Sequence, residues 1–169
     1  ERFDYLDVSA QNLVTERINA FFNRRPKEKP YFLWVNFSDP HHPWGSGENP
    51  PAPEQVRVPG FLPDLPGVRG DLSRYMGEIE HADADFKKVL DTVKARAGLE
   101  NTLVLFMGDN GMAFPSGKGL LHDPGLNVPL LAWWPGVVKP GGESRALLSG
   151  EDIAPTCLEA AGLQVPERV

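Results

Sequence analysis

The chain has 169 residues, 41% hydrophobic and 24% charged, with a net charge of −6. That is enough for one mid-sized domain with its own core. An acidic balance without a strong basic block argues against a nucleic-acid partner, and no apolar run approaches the ~20 residues of a membrane span.

The chain opens on Glu1-Arg2-Phe3-Asp4, with neither an initiator methionine nor a signal-peptide pattern. From about Ser9 to Asn23 the spacing predicts an amphipathic helix, with Leu13, Val14, Ile18, Phe21 and Phe22 on one face. Arg24, Arg25, Lys27 and Lys29 follow, where cations suit the negative end of the helix dipole, and Pro26 and Pro30 forbid continuation. Residues 31–37 (YFLWVNF) read as a short buried strand. The stretch from Ser38 to Gly70 is irregular and proline-rich, and a loop of that length inside a domain is functional or disordered.

A long helix is expected next, capped by Asp71 and closed by Gly98, with a stripe of Leu72, Tyr75, Met76, Ile79, Phe86, Val89, Leu90 and Val93. Residues 102–107 (TLVLFM) read as a second buried strand, 128–134 as a third strand beyond a glycine-rich loop, and 146–148 as a shorter fourth strand. A last helix is expected over about 151–161, with Ser149 as its cap and Pro155 in its first turns. Cys157, the single cysteine, cannot form an internal disulfide and reads as a small buried hydrophobe in that helix.

A strand, a crossover helix and a second strand predict a mainly parallel sheet flanked by helices, hence an α/β fold. Parallel strands of this kind end at one edge, where ligands bind. That edge would gather Asp39-Pro40-His41-His42-Pro43, after the strand at 31–37, with Asp109-Asn110-Gly111, after the strand at 102–107. Asp109 and Asn110 offer a carboxylate and an amide oxygen, hard donors suited to Ca²⁺ or Mg²⁺. By themselves the three residues also fit a plain turn. Lys118, in a glycine-flanked loop, could hold an anionic oxygen as a point charge, or could be a solvated loop lysine. His41 has the same two readings.

Taken in order, these segments resemble the sulfatase family of the alkaline-phosphatase-like superfamily. The resemblance is carried by 31–43 as its strand and Pro-His-x-Pro segment, by 75–90 as its long helix with Asp83 at the acidic position, and by 101–111 as its metal-binding strand. Gly117-Lys118-Gly119, residues 127–136 and residues 152–162 follow in the family's order. Residues 58–66 with Val68-Arg69, and Phe114-Pro115-Ser116-Gly117, look like the sulfamidase-like branch, which acts on N-sulfated glucosamine of heparan chains. His122-Asp123-Pro124 departs from the family's usual pattern, and Lys118 stands where that branch can carry arginine.

The resemblance implies that Asp109 and Asn110 bind a divalent metal, normally Ca²⁺, that Lys118 binds a sulfate oxygen, and that His41 hydrogen-bonds the sulfate. It implies a formylglycine nucleophile made from a cysteine followed two later by proline and four later by arginine. Cys157, followed by Leu158-Glu159-Ala160-Ala161, is not that cysteine. The whole chain therefore reads as part of a sulfatase catalytic domain, with the nucleophile segment expected before it and a smaller subdomain after it. The resemblance implies a sulfated small molecule or glycan as substrate and an extracytoplasmic location. On its own the chain is expected to be inactive and to bind Ca²⁺ weakly. Two further readings stay open from the residues: a phosphodiesterase or phosphonate monoester hydrolase of the same superfamily, and a non-catalytic module in which Lys118, His41 and Arg69 bind sulfated glycans.

Overall fold

A computed structural model describes residues 5–7, 11–45 and 47–167. The chain folds as two compact units that divide after Gly98. Each is described by itself.

The first unit is built on two helices. A 3₁₀ turn, Gln11–Leu13, leads into α1, Val14–Arg24. The expected start at Ser9 lies outside the described residues. Helix α1 buries Ile18 and Phe22, the centre of its predicted apolar face. Tyr31 comes back against it, with ring centroids 5.3 Å from Phe22 and 6.2 Å from Phe21. Arg25 lies over both Phe22 and Tyr31, at 5.3 and 5.0 Å from the ring centroids, and donates to the Lys29 carbonyl at 2.7 Å. Cation–π contact and a turn hydrogen bond thus hold the exit of the helix.

Residues 31–37 belong to no assigned strand, yet their exposure alternates as a strand's does. Tyr31, Leu33, Val35 and Phe37 are half-buried, while Phe32, Trp34 and Asn36 are exposed. The sheet formed by the described residues does not include them. The period of two is a property of the side chains, whereas a sheet also requires a ladder partner.

Helix α2, Pro66–Ala97, is longer than expected. It starts at Pro66 rather than after Asp71, because Leu65 is extended and proline's fixed φ suits a first helical position. It ends as expected at Gly98, with φ 73°. Its buried face is not quite the predicted stripe. Leu72, Ala82, Val89 and Val93 are buried, but Met76 and Ile79 are exposed and Glu78 and Asp85 are each 2% exposed. The proline-rich stretch is ordered along this helix. Ser73 Oγ donates to the Pro51 carbonyl at 2.6 Å. Gly47 lies so close to Gly77 that a Cβ on Gly47 would sit 2.3 Å from Gly77 backbone. Val56 and Leu62 are buried.

In the second unit, β1, Val104–Met107, pairs with β2, Leu130–Trp133, from Val104 opposite Trp133 to Met107 opposite Leu130. The pair is antiparallel, so the mainly parallel arrangement expected from the sequence is not what these strands form. The loop between them returns the chain beside β1 in the opposite sense, which requires no crossover helix. Residues 146–148, expected as a strand, are exposed and belong to no strand. The four-residue helix α3, Asp123–Leu126, lies inside the loop, and a 3₁₀ turn at Gly150–Asp152 leads into α4, Ile153–Ala160. Ser149 is the expected cap, in a reciprocal arrangement with Asp152. Cys157 is half-buried rather than buried, because α4 buries none of its residues, and desolvation raises its thiol pKa.

Candidate functional site

Asp109 and Asn110 leave β1 through Gly108, whose N–H donates to the Pro129 carbonyl at 3.1 Å and continues the ladder by one step. The following loop closes on itself through its backbone. Gly111 N donates to Gly125 O at 3.0 Å, Lys118 N to Met112 O at 2.9 Å, and Gly117 N to Phe114 O at 3.0 Å. These closures leave no room for side chains: a Cβ on Gly111 would lie 1.8 Å from the Pro124 carbonyl oxygen, and one on Gly117 2.2 Å from that of Met112. Glycine is needed here for close approach, not for a positive φ.

The loop brings Asp109, Asn110 and Lys118 into one backbone-closed segment. Asn110 Nδ2 donates to Asp109 Oδ1, which fixes the amide and leaves Asn110 Oδ1 free to accept. That oxygen is buried and has no hydrogen-bond partner. A buried acceptor without a donor is costly, about 1–3 kcal/mol, unless something else coordinates it. An amide oxygen and a neighbouring carboxylate are the donors a hard divalent cation takes, so these two residues fit Ca²⁺ or Mg²⁺. Among the described residues no group of three or more His, Cys, Asp or Glu could hold a metal, and two donors alone would not complete a coordination sphere. The Lys118 side chain is exposed and has no acidic partner among the described residues.

His41 belongs to the first unit and is exposed. Its N–H donates to the Ser38 carbonyl at 2.8 Å, closing a turn. Its Nδ1 lies 2.6 Å from the His42 carbonyl oxygen. A carbonyl only accepts, so Nδ1 carries the proton in that contact and Nε2 is the ring nitrogen left for other chemistry.

The turn that carries His41 is held by side chains of which the sequence singled out only Asp39. Gln11 Oε1 accepts from Ser38 N at 2.8 Å, Ser38 Oγ at 2.9 Å and Asp39 N at 3.2 Å. Gln11 Nε2 donates to Asp39 Oδ2 at 3.0 Å and to Asp85 Oδ2 at 2.9 Å. His81 Nδ1 is 2.6 Å from Asp39 Oδ2, and its Nε2 is 3.9 Å from Asp85 Oδ2. Lys88 Nζ is 2.7 Å from Asp85 Oδ1. Burial alone would raise the Asp85 carboxyl's pKa, but the hydrogen bonds from Lys88 and Gln11 and the charges of Lys88 and His81 outweigh it and hold it below the usual range. Past the turn, Gly45 N donates to Glu78 Oε1 at 2.6 Å, and Trp44 packs edge-on against His42 and Tyr75.

The signal that could have found this network was in α2. Glu78 and Asp85 stand seven residues apart in step with the buried Ala82, Val89 and Val93, and a carboxylate in a buried stripe needs a partner. Asp83, the acid singled out by resemblance, is exposed. Arg69, a candidate sulfate cation, is engaged in a two-point pair with Asp64, at 2.5 and 2.7 Å, and with the Val56 carbonyl at 2.8 Å. Its guanidinium holds the Asp64 carboxyl below the usual range.

The sulfatase family model matches residues 4–163, and the chain belongs to that family. It is 33% identical to human N-sulphoglucosamine sulphohydrolase over 170 residues, which covers 86% of this chain and 34% of that protein. It is 32% identical to an ulvan-active sulfatase of Formosa agariphila, covering 83% of this chain and 28% of the relative. Human N-acetylgalactosamine-6-sulfatase is 30% identical, covering 86% and 27%. The chain spans about a third of the length of the curated relatives it matches. Among the described residues no helix is long and apolar enough to cross a membrane.

Proposed function

We propose that the chain is part of a Ca²⁺-dependent sulfuric-ester or sulfamate hydrolase that acts on sulfated carbohydrate outside the cytoplasm. The observation that carries this reading is the family match over residues 4–163, which takes in His41, Asp109, Asn110 and Lys118. The relatives' names support a sulfated-glycan substrate, N-sulfated glucosamine first among them.

In this reading Asp109 and Asn110 hold the metal, with Asn110 Oδ1 as the preformed acceptor. Bound Ca²⁺ supplies positive charge where negative charge concentrates on the sulfuryl oxygens. Lys118, exposed and without an acidic partner among the described residues, takes a sulfate oxygen as a point charge. His41 presents Nε2 to the sulfate, its Nδ1 proton being committed to the His42 carbonyl. The nucleophile is a formylglycine contributed by a segment other than these residues, because Cys157 lacks the proline and arginine that mark its precursor.

The test is a substrate panel on the longer protein of which this chain is proposed to be a part. N-sulfated glucosamine, a chromogenic aryl sulfate and the matching phosphate diester are assayed side by side. Sulfamate or sulfate-ester turnover above diester turnover supports the reading. Preference for the diester assigns the same residues to a phosphodiesterase.

A further inference from the structure

Helix α2 presents Tyr75, Glu78, His81 and Asp85 toward the segment from Ser38 to Gly45, successive members three or four residues apart as on one helix face. Two of these, Glu78 and Asp85, are 2% exposed. Burying carboxylates costs several kcal/mol each before their partners are counted, and an apolar side chain would pack the same space more cheaply. What the carboxylates supply is direction. Glu78 bonds the segment that leaves the turn directly, and Asp85, besides its pair with Lys88, reaches the turn through Gln11 and His81.

The network has an order. Asp85 is neutralised by Lys88 and accepts from Gln11. Gln11 in turn accepts both N–H groups at the start of the turn, Ser38 and Asp39. Asp39 is gripped a second time by His81 Nδ1. Beyond His41 and His42, Glu78 fixes the Gly45 N–H. The described contacts of His41 itself are local: its N–H on Ser38 O and its ring on His42 O. Its direction is therefore inherited from the residues on either side.

We propose that Gln11, Asp39, His81 and Asp85 form a positioning clamp that fixes the 38–45 turn on α2 and so aims the His41 imidazole. The role in turnover rests on the reading of His41 as a sulfate-facing residue. The clamp itself does not.

The experiment is amide hydrogen exchange on the 169-residue chain, comparing wild type with His81→Leu, His81→Asn and Asp39→Asn. Asn keeps a donor near the position of His81 Nδ1. With His81→Leu, the amides of Ser38, Asp39, His41 and Gly45 should exchange about tenfold faster or more, while those of α1 and of α2 beyond Val89 keep their wild-type rates. His81→Asn should restore protection to within about threefold of wild type. If His81→Leu unsettles the whole unit, Asp39→Asn decides by the same criteria. Unchanged exchange at 38–45, or a rise shared equally by α1 and α2 in both Leu and Asn variants, overturns the clamp. In the longer protein, His81→Leu should lower kcat about tenfold or more with KM within about threefold, and His81→Asn should recover most of it. An equal loss with Asn and Leu would overturn the positioning role. Local protection lost as predicted in a protein that hydrolyses no sulfate would support the clamp and reject the sulfatase reading.

Discussion

In the first unit Ile18, Phe22, Val56, Leu62, Leu72, Ala82, Val89 and Val93 are all buried, whereas in the second no hydrophobic residue among those described is. Among the described residues there, only Gly117 and Gly125 are buried, and every residue of β2 is exposed, Leu131 at 61% and Trp133 at 45%. One unit is held by side chains: a small apolar core plus the hydrogen-bonded carboxylates of α2. The other holds Asp109 and Asn110, the proposed metal ligands, by backbone closures that require glycine. The same kind of candidate residue is thus positioned in two ways. His41 is set by what its neighbours bind, and Asn110 by how tightly its loop folds.

Substitutions separate the two modes. The largest effect on stability should come from Phe22→Ala, which removes a ring packed against Phe21 and Tyr31 and should cost about 4 kcal/mol in urea unfolding of the first unit. Gly111→Ala places a methyl against the Pro124 carbonyl and should cost about 2–3 kcal/mol, seen as faster exchange of the 111–125 amides with α1 and α2 unchanged. Asp85→Asn should cost about 2 kcal/mol at neutral pH, by weakening hydrogen bonds to a buried charge. Its pH dependence has a definite sign. The folded carboxyl is held below its unfolded value, so its contribution is present above about pH 4 and is lost as pH falls through the folded value. The gap between wild type and Asp85→Asn should therefore close in acid, and a gap that widens there would contradict the assignment. Leu131→Ala, on an exposed strand, should change stability by no more than about 0.5 kcal/mol. A cost near that of Phe22→Ala would erase the contrast between the units.

How legible each part was follows from how local its cause is. The two longer helices and the caps at Gly98 and Ser149 follow from spacing and end residues alone. The start of α2 was misplaced by six residues, from a cap expected at Asp71 to one at Leu65, because Pro66 reads equally as loop proline and as first helical position. Residues 31–37, read as a buried strand, are alternately half-buried and exposed and join no strand of the described sheet, because pairing depends on a neighbour that the segment's own residues do not specify. β1 and β2 were placed correctly as strands, and their antiparallel pairing was not foreseen by an expectation of a mainly parallel sheet, since antiparallel and parallel strands share the same apolar run. In the candidate site, the loop from Asp109 to Lys118 was legible as a glycine-rich polar turn. The clamp was not, because Gln11, Asp39 and Asp85 are brought together across separations of 28 and 74 residues.

The central claim is that Asp109 and Asn110 are metal ligands of a sulfatase. The most direct measurement is turnover of N-sulfated glucosamine by the longer protein, wild type and Asp109→Ala, before and after chelation and with Ca²⁺ restored. Loss of a metal ligand should lower kcat/KM on the order of a thousandfold, and Ca²⁺ should restore the chelated wild type but not the variant. A variant that keeps wild-type turnover, or a wild type indifferent to chelation, would contradict the account.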